Sequence, residues 1–215
     1  MSSLNNLKAQ RLQEILQPQV LGLLIIDLQN DFIAPSGKNA EWSKSITDMQ
    51  KIIPNIERLI AYFRKFNRPI IWTEDAEDPE FRTTAGLDRY LWLEQNDKDH
   101  VACIKGTWGA EFYLPPQPED IIIKKTRISA YVNTDLSEVI RKNQIKTMLV
   151  VGVKTQRCVA STARDLYENE PDLHVVLVED CVASDDPVQH RHTIAEFKQF
   201  WPPVLTSKTI LDALN

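Results

Sequence analysis

The 215-residue chain lacks what several large function classes require. Its three cysteines, Cys103, Cys158 and Cys181, are odd in number and show no framework spacing. That excludes a disulfide scaffold and fits a reducing, cytoplasmic setting. There is no CxxC and no HExxH. Of the four histidines only His190 and His192 are close in sequence; two residues apart they fall on different faces of a helix and read as surface residues rather than a zinc pair. Neither sign of charge dominates: 25 Lys and Arg against 30 Asp and Glu leave −5. A mildly acidic chain without a basic run is a poor partner for nucleic acid or an anionic membrane. The longest apolar run, residues 20–26, is too short for the roughly 20 residues of a membrane span. Residues 1–18 contain no apolar core of a secretory signal. The first strand-to-helix turn reads DLQNDF rather than GxGxxG, which excludes a Rossmann-type nucleotide site. With no internal repeat, low-complexity stretch or flexible linker, the length predicts one domain over residues 1–215.

What is present is an alternation of short apolar runs and helical patterns. Leu4, Leu7, Leu12, Ile15 and Leu16 suggest an amphipathic leader helix over about residues 4–17. Strands are predicted at residues 23–26, 69–72, 121–123, 148–153 and 174–178, with an edge strand at 204–205. Helices are predicted at 52–63, with Pro54 in the first turn, and at 134–142, 158–169, 187–200 and 210–214. Residues 74–120 interrupt the alternation and read as an insertion with some helix, a lid or pocket wall. Apolar strands alternating with helices imply α/β architecture, a doubly wound parallel sheet with helices on both faces. Ligands of such sheets bind beyond the carboxyl ends of the strands.

Three strand ends carry reactive side chains. Asp27 closes the first strand, where a carboxylate serves as helix cap, metal ligand or general base. Lys124 and Lys125 end the third and point to opposite faces, so one of them can enter a site while the other is solvated. Cys158 opens the helix after the fourth. A thiol there is expected to have a lowered pKa, with Lys154 and Arg157 acting in the same direction; the alternative is a small buried hydrophobe. No histidine stands at these ends, so the base available to a thiol nucleophile is Asp27, its pKa raised by burial. Phe32, Trp108 and Tyr131 are candidate pocket walls, with plain core packing as the alternative.

At these residues the chain resembles the isochorismatase-like cysteine hydrolases, which include nicotinamidases and N-carbamoylsarcosine, ureidoacrylate and biuret hydrolases. The resemblance is carried by LLIIDLQNDF at 23–32, KTRISAYVNTDL at 125–136, VVGVKTQRCVASTARDLYE at 150–168 and VVLVEDCVAS at 175–184. It implies a six-stranded parallel sheet and a triad of Asp27, Lys125 and Cys158. It also implies a cis peptide between Val153 and Lys154, and an oxyanion hole from the backbone N–H groups of Lys154 and Cys158. Metal-dependent relatives carry Asp-x-His after the second strand and a further His. Here Asp75 and Glu77 occupy the matching positions, so no metal or other cofactor is expected.

These observations predict a hydrolase of a small non-peptide C–N bond (amide, urea or carbamoyl) acting through a cysteine thioester. The alternatives are a vinyl-ether hydrolase using Asp27 and Lys125, and a non-catalytic binding module on the same fold. The resemblance further implies a homo-oligomer, dimer or tetramer, acting on a small molecule.

Overall fold

Short, uninterrupted apolar runs form the middle of the sheet. In the computed structural model, which describes residues 2–42, 45–76, 92, 101–201 and 203–214, β1 (Leu21–Ile26) and β4 (Thr147–Val153) are buried at every position. Strands covered on both faces have this property. With β2 (Ile70–Asp75), β3 (Ile121–Lys125), β5 (His174–Ala183) and β6 (Val204–Leu205) they make one parallel sheet of six strands, in the order β3-β2-β1-β4-β5-β6.

Alternation along β1 divides the core in two. Leu23 and Ile25 join one apolar cluster, Leu24 and Ile26 the other. On the first face lie α1 (Ser2–Ile15) and, after the short helices α2 (Asn30–Ile33), α3 (Lys38–Glu41) and α4 (Thr47–Lys51), the helix α5 (Ile53–Lys65). On the second face lie α6 (Leu136–Lys142), α7 (Ala160–Asn169) and α8 (Pro187–Phe200). The last helix, α9 (Ser207–Leu214), returns to the first face through Ile210. The chain winds outward from β1 to β2 and β3, then resumes at β4 beside β1. The order therefore reverses between β1 and β4, the crevice where doubly wound sheets place their ligands.

Local chemistry sets several boundaries. Asp186 caps α8, accepting from the N–H groups of Val188 and Gln189, and Pro187 stands in the first turn, where its missing N–H costs nothing. Pro54 plays the same part in α5. The amphipathic stripe expected along the leader helix packs only at its end: Ile15 and Leu16 are buried, whereas Leu4 and Leu7 are 58% and 61% exposed. Gly152 has φ +113°, and a Cβ there would stand 2.1 Å from the carbonyl oxygen of Ile26, its partner on β1. Only glycine meets both conditions.

Two strands outrun their apolar runs. β2 continues through Glu74 and Asp75, and β5 through Glu179 and Asp180 to Ala183. In the long connection from β2 to β3, residues 77–91 and 93–100 lie outside the described residues. Over 101–120 the chain is irregular apart from a 3₁₀ turn at Trp108–Ala110. Among the described residues no helix is long and apolar enough to cross a membrane.

Candidate active site

Asp27 is the first residue beyond β1. Its backbone is left-handed, φ +49°, and its side chain is fully buried. Asp and Asn tolerate this conformation better than other side chains. Thr73 of β2 holds it from both sides, accepting from the Asp27 N–H at 3.0 Å and donating to Oδ1 at 2.5 Å.

Alternation on the edge strand β3 sends Lys125 inward, 1% exposed. Lys124 points outward and faces Glu74 at 3.5 Å. The Lys125 ammonium lies 3.0 Å from Asp27 Oδ2, 3.4 Å from Asp75 Oδ1 and 3.7 Å from Cys158 Sγ, and donates to the Arg127 carbonyl at 3.2 Å. Side chains from β1, β2, β3 and the segment after β4 thus meet around one cation.

Cys158 does not open a regular α-helix. It is the fourth residue of a single π-helical turn, Thr155–Val159, that leads into α7. The Lys154 carbonyl anchors this turn, accepting from Arg157 N–H at 3.0 Å and Val159 N–H at 3.3 Å. The Val153–Lys154 peptide is cis. Cys158 is partly exposed, whereas Asp27 and Lys125 are sealed.

The electrostatics correct the expected lowered thiol pKa. Burial pushes Cys158 up; Lys125 opposes this, but Asp27 and Asp75 add to it, and the thiol reaches about 12. Two carboxylates and one ammonium leave the cluster at −1, so a further anion on sulfur is disfavoured. Burial also raises Asp27, with Asp75 adding to the rise and Lys125 and Thr73 opposing it. Burial alone would lower Lys125; Asp27, Cys158 and Asp75 overcome it and hold the amine well above its ordinary range, as a cation. The resting arrangement is a protonated thiol, a carboxylate with raised proton affinity and an ammonium in contact with both. Moving the proton from sulfur to Asp27 transfers the negative charge from one neighbour of Lys125 to another and leaves the cluster total unchanged.

The rest of the polar run after β1 holds the chain in place. Gln29 is fully buried. It donates to the carbonyls of Asp75 (2.9 Å) and Ala110 (2.7 Å) and accepts from the Asp75 N–H (2.9 Å). Asn30 donates to the Trp108 carbonyl, and the Asp31 carboxylate accepts from the N–H groups of Cys103 (2.7 Å) and Lys38 (3.2 Å). These three side chains latch residues 103–110 over the sheet edge.

The candidate pocket residues separate. Phe32 is partly buried and its ring lies under the Lys154 ammonium, 5.7 Å from the centroid. Trp108 is 49% exposed. Tyr131 donates to Glu170 at 2.9 Å, just beyond the end of α7 remote from Cys158. His190, expected at the surface, is half-buried and bonded through Nδ1 to Thr155 Oγ1 at 2.9 Å, so it is not half of a zinc pair with His192. Burial lowers its pKa. Glu77 lies outside the described residues. Asp75, the other position matching the metal site of some relatives, is engaged by Lys125; among the described residues no group of three or more His, Cys, Asp or Glu could hold a metal ion.

Two contributions escaped the sequence. Thr73 shows only as a polar residue in an apolar strand. The pairing of Lys154 with Asp185, 31 positions away at 2.7 Å, has no local signal.

Comparison with known proteins bears on the fold and the family. The family profile for the isochorismatase domain matches residues 22–209. The chain is 26% identical over 197 residues to ureidoacrylate amidohydrolase RutB of Methylobacterium radiotolerans, covering 86% of this chain and 76% of that one. It spans 64%, just under two thirds, of the protein of that name from Methylorubrum extorquens. Among solved structures it is similar to an isochorismatase family protein from Desulfovibrio vulgaris, with 26% identity, 91% and 98% of the two chains covered and a TM-score of 0.75. It is also similar to the nicotinamidase PncA of Bacillus subtilis, with 26% identity, 86% and 99% covered and a TM-score of 0.69.

Proposed function

The chain belongs to the isochorismatase-like hydrolase family, and from that premise we propose that it hydrolyses a small non-peptide C–N bond, using Asp27, Lys125 and Cys158. The observation that carries this is the Lys125 ammonium, 3.0 Å from the Asp27 carboxylate and 3.7 Å from the Cys158 sulfur. A cation touching both groups stabilises the negative charge at either end of a proton transfer.

Asp27 takes the proton from Cys158 Sγ, and the sulfur attacks the carbonyl carbon. The C=O electron pair moves onto oxygen, which rests on the backbone N–H groups of Lys154 and Cys158. As the carbonyl re-forms, the C–N bond breaks and Asp27 returns the proton to the leaving nitrogen, leaving a thioester. Water then gives a proton to Asp27 and attacks the thioester carbon; the C–S bond breaks and Cys158 recovers its proton from Asp27. One carboxylate thus serves as base, then acid, in each half-reaction, a role suited to a raised pKa. The thiol's place in the cluster favours amide over vinyl-ether cleavage, because ether cleavage by Asp27 and Lys125 leaves the sulfur without work.

The test is ammonia release across a panel of primary amides, ureas and N-carbamoyl compounds. Turnover that disappears in Cys158→Ser supports the proposal. Turnover that persists undiminished in that variant overturns it.

A further inference from the structure

The mechanism uses one buried lysine and leaves another, four residues before Cys158, without a role for its side chain. Lys154 is 7% exposed. Its ammonium lies 2.7 Å from Asp185 Oδ2 and donates to Asn39 Oδ1 at 3.0 Å. The Asp185 side chain is 8% exposed, and its other oxygen accepts from Ser184 Oγ at 3.2 Å. A buried ion pair gives little net stability, because the two desolvation costs offset the attraction. What the pair does fix is location. Lys154 joins β4 to the π-turn, its carbonyl carries the turn, and its N–H is the oxyanion donor of the proposed function. The segment that holds it grips the next residue too, since His190 of α8 bonds Thr155 Oγ1. Asp185 of the β5–α8 connection and His190 of α8 therefore hold two consecutive residues, Lys154 and Thr155, where the nucleophile turn begins.

We propose that Asp185 is a positioning residue: by holding the Lys154 ammonium it keeps the Lys154 N–H and the turn bearing Cys158 in the geometry that receives the oxyanion. The inference rests on the proposed function, and its effect belongs to the transition state. Substrate in the ground state carries no oxyanion, so loss of the anchor lowers kcat while KM is kept. Displacement of a catalytic group by about 1 Å costs on the order of 100-fold.

The experiment uses the compound turned over fastest in the ammonia-release panel, with thermal melting run in parallel. Asp185→Ala is expected to lower kcat by about 10- to 100-fold with KM within about threefold, and Asp185→Glu to recover part of that loss. Benzaldehyde supplies a second readout, since the thiol adds across its carbonyl to give a thiohemiacetal whose oxygen occupies the oxyanion position. Its inhibition constant is expected to rise with the fall in kcat. The double variant Lys154→Met/Asp185→Leu removes both charges and covers the case in which Asp185→Ala does not fold. It is expected to melt close to the parent yet keep the low kcat. Full kcat in the double variant, or kcat within twofold of the parent in Asp185→Ala, overturns the inference while Cys158→Ser remains inactive. Full activity of Cys158→Ser removes the proposed function, and the inference with it.

Discussion

The segments after β1 and after β4 face each other across the point where strand order reverses, and they are held in opposite ways. After β1, Gln29, Asn30 and Asp31 bond to main-chain groups of residues 38, 75, 103, 108 and 110. After β4, Lys154 and Thr155 are held side chain to side chain, by a carboxylate, an amide and an imidazole. The first arrangement bonds to backbone and tolerates changes in the sequence it covers. The second depends on the identity of each partner and on its charge. The connection from β2 to β3 can thus vary in sequence while its attachment persists, and the residues that hold the turn after β4 cannot.

The largest effect comes from cutting the reacting pair while leaving both attachments in place. Cys158→Ser and Asp27→Asn should each lower turnover by at least about 1,000-fold. Melting should stay near the parent, because both replacements keep the size of the side chain and asparagine tolerates φ +49°. An Asp27→Asn enzyme with near-normal turnover would remove the carboxylate from the chemistry.

Proton affinities give the next effect. With its thiol near 12, Cys158 should be labelled by iodoacetamide about tenfold faster for each pH unit between 8 and 10, without a plateau. A plateau near pH 7 would mean that the turn, rather than burial and the carboxylates around it, governs the sulfur. Asp27 must be ionised to accept the thiol proton, so turnover is low below its pKa and rises through it. Since that pKa is raised, the rising limb should lie above the ordinary carboxylate value of about 3.9. Asp75→Asn removes a charge that raises both groups and should move limb and labelling profile downward in pH.

Breaking the other attachment should show in stability first. Gln29→Ala leaves the main-chain groups of Asp75 and the buried carbonyl of Ala110 without their partner, a loss of about 2–4 kcal/mol in urea unfolding. Turnover of the folded fraction should fall less than in Asp185→Ala, because the latch does not touch the nucleophile turn. The smallest effect is that of a chelator. With Asp75 engaged by Lys125, turnover should be unchanged by EDTA; a loss restored by a divalent ion would show that Asp75 has another partner.

Much of this was legible residue by residue. The uninterrupted runs of β1 and β4 announced strands covered on both faces, the predicted helix at 187–200 matched α8, and two-residue alternation placed either Lys124 or Lys125 inward. The misses share one cause. β2 and β5 appeared to stop where acidic residues begin, yet Asp75 finds Lys125, and Asp180 accepts from Asn55 and Ser207. The Cys158 thiol was assigned a low pKa from its own turn, whereas burial raises it, with the carboxylates of Asp27 and Asp75 adding to the rise. Partners distant in sequence overrode the local signal each time, and local pattern contains no distances.

Gly152 has a consequence for how such an enzyme changes over time. Its missing side chain lets β4 approach β1 one residue before Asp27 and six before Cys158, so under the proposed function it acts as a spacer gauge between base and nucleophile. Saturation mutagenesis there should leave glycine as the sole active survivor, whereas positions in the connection from β2 to β3 should accept many residues. Sequence drift then has open ground on one side of the crevice, and the proposed reaction is insulated from it by a single hydrogen atom.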